Sequence, residues 1–273
     1  MNVLLLAAFA LCLLGWVWAA QTLALRSEGN RKIWVRPLGH GCDSPRVRGA
    51  VKLALSSGTI AVIFLYPSAI GENPLQYHGA KFAMIHLDLS VQALLLSCGL
   101  LAVVLVGSVL AGWVKLERRH STGRIAYKVL KAFLIPLPLT LMEEPLFRGL
   151  LLEQLTEALP SNAFGASVAL TGSSSVFVAT HLLRPQKHAL LATIGLFYVG
   201  LVLGLFYVVS GHNYWLPIAF HAGGVLFIQA TRPLTRYEGP AWLVGRSTYP
   251  IAGLLGALAI AVAAGIVLVQ IPA

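Results

Sequence analysis

The chain has 273 residues, of which 57% are hydrophobic and 11% charged, with a mean hydropathy of +0.77. Those figures exclude an ordinary soluble domain and point to an integral membrane protein, for which the useful count is the number of segments able to cross roughly 30 Å of hydrocarbon. The net charge of +10 would suit nucleic acid if Lys and Arg formed a stripe on a soluble module, but they alternate with apolar runs, so topology accounts for them and no nucleic-acid partner is expected.

In chain order the apolar runs fall near residues 2–25, 53–70, 89–114, 131–157, 165–183, 189–209, 215–231 and 248–270. They predict an all-α, multi-pass transmembrane helical bundle of about eight spans, built as a single membrane domain over 1–273. The first run has no basic residues before it and reads as a retained anchor, although the small residues Ala19 and Ala20 follow its apolar stretch. The connections after the first, third, fifth and seventh runs hold every Lys and Arg except Lys81 and Arg148. The positive-inside rule then places the basic loops in the cytoplasm and both termini outside the cell membrane.

Residues 1–130 thus supply the N-terminal spans and basic inner loops. Within them and just beyond, KLERRHSTGRIAYKVLK (115–131) reads as a basic amphipathic stretch on the inner surface, where anionic lipid would attract it. Gly195, Gly200 and Gly204 in GLFYVGLVLG are expected to let helices approach closely. Cys12, Cys42 and Cys98 show neither a disulfide framework nor a zinc-ligand spacing.

LMEEPLFRGLL (141–151) puts three charges inside the fourth run, where each costs on the order of 2.5–3.5 kcal/mol at a helix centre. An i to i+4 spacing sets Glu144 and Arg148 on one helical face, able to neutralise each other. Glu143 lies about 100° around the helix and needs a polar neighbour from another helix or from water. Pro136, Pro138 and Pro145 free backbone groups that a membrane tolerates only beside other helices or water, so this run is expected to border a polar cavity.

Two other spans offer partners. Phe177 and His181 share a face in SSSVFVATHLL, and His221 lies within WLPIAFHAGGVLF. Counted from the nearest basic residue, Glu143, His181 and His221 fall roughly 5–18 Å from the inner boundary, so one shared site is expected. Taken singly, a Glu–Arg pair can serve only to fix packing, and a membrane histidine is often a hydrogen-bonded helix contact. His40, Cys42 and Asp43 in GHGCDS lack a repeated ligand spacing, and His78, His86, His120, His188 and His212, at or near connections, read as solvated.

EEPLFRG resembles the EExxxR signature, and FVATH the FxxxH motif, of the CPBP family of prenyl-protein (CAAX) processing and bacteriocin-processing intramembrane proteases, also called the Abi family. GLVLGLFYVVSGHNYWLPIAFHA is similar to that family's run through a glycine-bearing helix, a short turn and a histidine-bearing helix. The resemblance marks 131–231 as a CPBP-like protease core and leaves 232–273 as a C-terminal span without a specific match. It implies that Glu143 activates water, that His181 assists it, and that His221 stabilises the oxyanion or orients substrate, with Glu144, Arg148 and Phe177 in support.

One position departs from the family pattern. The last motif usually continues with Asn or Asp four residues after the histidine, and Val225 stands there, unable to donate to an oxyanion. His221 alone or the backbone at Gly223 and Gly224 would have to substitute, or this member is slow or inactive. Some family members are described as metalloproteases, and zinc on Glu143, His181 and His221 is the alternative to a metal-free centre. The metal-free centre is preferred because Glu143 would otherwise be both ligand and base. The expected activity is endopeptidase cleavage, near the inner membrane face, of a membrane protein or lipidated peptide. The rivals are an inactive membrane scaffold or immunity protein of the same family, and a proton-coupled transporter, which the lack of paired inverted repeats disfavours.

Overall fold

A computed structural model describes residues 2–27, 44–83, 87–117, 121–182, 189–246 and 249–271. The chain is an all-α multi-pass bundle: among the described residues six helices are long and apolar enough to cross a membrane, beside two shorter apolar ones, Trp215–Thr231 and Leu254–Leu268, against about eight spans expected. His40, Cys42, Asp43, His86, His120 and His188 lie outside the described residues.

The helices are α1 (Asn2–Ser27), α2 (Pro45–Ala69), the short α3 (Pro74–Gly79) and α4 (Leu87–Leu110), followed by α5 (Thr122–Leu134) and α6 (Pro136–Glu144). A π-helical segment, Pro145–Leu152, then leads into α7 (Glu153–Ala158), α8 (Ala163–Leu182), α9 (Ala189–Val209), α10 (Trp215–Thr231), α11 (Ala241–Val244) and α12 (Leu254–Leu268). Two strands, β1 (Val114–Leu116) and β2 (Thr235–Tyr237), pair antiparallel with Lys115 opposite Arg236.

Two expectations are corrected. The second span starts at Pro45 and not near 53, because Ser44 accepts from the Arg46 and Val47 amides and Pro45 is preset for a first turn, so the cap outweighs the polar residues that follow. Within the stretch 115–131, Lys115 and Leu116 are paired in a strand, and the amphipathic part is the helix that begins at Thr122. His78 is buried, not solvated, because Asn73 caps α3 and turns it back on α2, where the imidazole Nε2 meets Ile63 O at 3.0 Å.

The chain falls into two compact units, neither continuous in sequence: residues 1–80 with 145–187, and residues 81–144 with 188–273. The expected core at 131–231 therefore contributes to both, and the division falls between Glu144 and Pro145.

In the first unit α1 packs along α2 through Val17, Leu25, Val47, Val51 and Ala54. Leu150 of the π-helical segment joins Leu6, Val62 and Tyr66 in a second cluster. The π-helix has a local cause: Pro145 has no N–H, and its ring opposes the carbonyl four residues back, so the chain continues with wider turns. Side chains meet backbone oxygens on this segment, with Ser173 Oγ donating to Phe147 O at 2.8 Å and Tyr77 Oη 2.9 Å from Gly149 O.

In the second unit α10 is the central element, packed on α4, α5 and α6. At Gly223 the approach to α4 is so close that a Cβ would overlap Ser97 Oγ and stand 2.5 Å from Leu94 O. Small residues bring membrane helices together in this way. The expectation for Gly195 holds as well, since a Cβ there would lie 2.8 Å from Ala252 Cα. The start of α10 is pinned through the preceding turn: Tyr214 N donates to Lys81 O, Asn213 Nδ2 to Ala83 O, and Trp215 Nε1 to Phe82 O.

Candidate active site

Glu143 and Glu144 are the last two residues of α6, and His221 lies in the middle of α10, all within the second unit. Glu144 is completely buried and His221 is 8% exposed. Their contact is short, with His221 Nδ1 2.7 Å from Glu144 Oε1. A carboxylate oxygen accepts, so Nδ1 carries the hydrogen, which fixes the ring's orientation and turns Nε2 toward the other glutamate.

There the separation is different. Nε2 stands 3.8 Å from Glu143 Oε2, and that buried oxygen has no hydrogen-bond partner among the described residues. The gap is too long for a hydrogen bond and suits one intervening oxygen atom about 2.8 Å from each side. His221 is thus tied to one carboxylate and faces a second across room for a single reacting oxygen. Glu143 retains 18% exposure, the largest of the three.

The sequence reading gave Glu144 to Arg148 by helical spacing. The chain leaves Glu144 as a π-helix, whose wider turns change the angle between Glu144 and Arg148 from that of a regular α-helix. The bond from Glu144 to His221 was not legible from periodicity, because it joins residues 77 apart.

The remaining expected residues assemble in the first unit. Arg148 is 2% exposed, and its guanidinium carbon lies 4.9 Å from the Phe177 ring centroid and 5.9 Å from that of Phe147. The two phenyl rings meet edge to face, with centroids 5.2 Å apart. His181 stacks at a tilt on Phe177, 4.3 Å between centroids, and its Nδ1 donates to Phe177 O at 2.8 Å. Phe177 and His181 do share a helical face, as their spacing predicts.

As for a metal, Glu143 Oε2 and His221 Nε2 are separated by a distance that two ligands of one zinc could span, and Glu144 is placed as the carboxylate behind a ligating histidine. A catalytic zinc takes three protein ligands, and among the described residues no three His, Cys, Asp or Glu side chains gather to hold one.

Residues 125–227 match the family described as type II CAAX prenyl endopeptidase Rce1-like. The match runs from α5 to the last turns of α10 and takes in Glu143, Glu144, Arg148, Phe177, His181 and His221. The chain therefore carries an Rce1-like CAAX protease domain, consistent with the CPBP family. No curated protein and no solved structure matches it.

Proposed function

We propose, on the premise of that protease domain, that the chain is an intramembrane endopeptidase hydrolysing a peptide bond in a membrane-anchored or lipidated polypeptide near the cytoplasmic face. The observation that carries the reading is His221 held between two glutamates, one bonded and one across a gap of 3.8 Å.

A water bridging that gap donates to Glu143 and, when Nε2 carries a hydrogen, accepts from His221. Glu143 removes the water's proton as its oxygen bonds to the scissile carbonyl carbon, and the same proton then passes to the leaving amide nitrogen as the C–N bond breaks. His221 faces the negative charge that develops on the former carbonyl oxygen, and Glu144 holds the ring for that task. His181 assists the water, a role assigned from the family resemblance, with Arg148 and Phe177 in support of that histidine. Positioned acid–base groups of this kind contribute about 10²–10⁴ in rate.

The deciding experiment is Glu143→Gln in the full-length chain, read by mass spectrometry of the membrane proteome for peptides that shift in mass. Cleavage should fall by about 10³ or more with insertion and abundance unchanged; undiminished cleavage would refute the assignment. Val225 favours a second reading, an inactive scaffold or immunity protein of the same family, for which Glu143→Gln leaves the phenotype intact. A transporter would instead show uptake into vesicles driven by a pH gradient. Metal content of the purified active protein separates the metal-free centre from a zinc centre.

The basic loops are assigned to the cytoplasm and both termini to the opposite side, which labelling of single introduced cysteines checks. Anionic lipid is the partner assigned to α5, whose Arg124, Lys128 and Lys131 accompany exposed Tyr127, Leu130 and Phe133.

A further inference from the structure

Two adjacent glycines of α10 meet opposite surroundings. At Gly223 a Cβ would overlap Ser97 Oγ and stand 2.5 Å from Leu94 O, so the close approach to α4 accounts for that glycine. At Gly224, apart from its neighbours along the helix, nothing among the described residues stands within 4 Å of where a Cβ would be. Packing gives no reason for it. A glycine inside a helix is less favourable than alanine, because it gives up more backbone freedom on folding, and the space here would admit alanine or a larger side chain.

The position of this open space connects it to the site. Gly224 lies one turn beyond His221, about 60° around the helix axis, and Val225 lies about 40° to the other side of the histidine. Every residue from Leu216 to Gly223 is buried, and that continuous burial stops at Gly224, which is half-buried. Side chains on a helix lean toward its N-terminus, so a long side chain at 224 would cover the patch next to the imidazole. Glycine leaves that patch bare. Val225, also half-buried, has no polar side-chain atom, so the recess one turn from His221 answers an apolar group.

We propose that Gly224 sets the size of a substrate subsite beside His221, a recess that takes a bulky apolar side chain, of leucine to phenylalanine size, from a residue flanking the scissile bond. This rests on the endopeptidase reading above and deepens it by naming a residue that selects substrate. Gly224 is specificity-determining: it carries no proton and touches no reacting atom.

The test compares membrane proteomes of cells producing the full-length wild type, Glu143→Gln or Gly224→Leu at equal abundance, with cleavage sites read as new peptide termini by mass spectrometry. Sites lost in Glu143→Gln are the enzyme's own, and large apolar residues should flank them. In Gly224→Leu the recess is filled, so cleavage at those sites should fall by about tenfold or more, the scale on which an apolar pocket discriminates by size. One peptide from that set is then made with leucine or with alanine beside the cut. Gly224→Leu should raise KM for the leucine peptide and leave kcat/KM for the alanine peptide within about twofold of wild type, a split that a general loss of structure would not produce. Gly224→Ala should shift the same ratio less, in the same direction, and decides the matter if Gly224→Leu does not fold. An equal loss on both peptides, or no change on either, would overturn the proposal. Persistence of every site in Glu143→Gln would overturn the endopeptidase reading, and the subsite with it.

Discussion

The two units bury charge in opposite ways. At the end of α6 two carboxylates meet an imidazole, a group that can take up or release a proton. On the π-helical segment the Arg148 guanidinium lies against the rings of Phe147 and Phe177, which do not themselves exchange protons. Both devices lower the cost of a charge in a membrane helix, but only the first can also do acid–base work. Substitutions in the first should therefore strike turnover, and those in the second should strike stability.

The sharpest separation comes from Glu144→Gln. The side chain keeps its size and loses its charge against His221 Nδ1, so turnover should fall by about 10²–10⁴ with little change in thermal unfolding. A proportional loss of folded protein would break the comparison. Val225→Asn works in the other direction, returning a donor one turn from His221; single-turnover cleavage should rise by at least about tenfold if oxyanion stabilisation limits the rate.

Packing changes are smaller. Gly223→Ala forces a methyl onto Ser97 and Leu94 and should cost about 1–3 kcal/mol, whereas the neighbouring Gly224→Ala, with nothing within 4 Å, should stay within about 0.5 kcal/mol. Equal unfolding temperatures for the pair would contradict the α4–α10 contact. For Arg148→Lys the charge persists but the planar stacking does not, so a loss of about 1–2 kcal/mol is expected in thermal unfolding, with cleavage per folded molecule less affected than in Glu144→Gln.

The smallest effect belongs to the β ribbon, where Lys115 Nζ lies 2.7 Å from Glu238 and holds its carboxyl below the usual value of 4.5. Because the folded value is the depressed one, this contribution is present above pH 4.5 and fades as the pH falls below it. The difference in unfolding temperature between Glu238→Gln and the wild type should shrink on acidification and in high salt.

Much of this was legible in the chain alone. Hydropathy located the helices because a hydrocarbon solvent demands long apolar segments with internally satisfied backbones, and Glu143, Glu144 and His221 stood out because charge there is rare and costly. Phe177 and His181 were paired correctly by a local rule, the four-residue spacing of one helix. Arg148 also has surroundings that no local rule supplies. Pro145 changes the helical period beside it, and the aromatic rings that cover it come partly from α8.

The sequence by itself determined that this protein lives in a membrane, where its helices run, and which polar side chains need an explanation, because each follows from composition and spacing along one helix. Only the tertiary structure decided that His221 bonds Glu144 and faces Glu143, and that Gly223 rather than a larger residue sits against α4. Those are distances between segments far apart in the chain, set by the packing of α10 on its neighbours, and no property of a single helix encodes them.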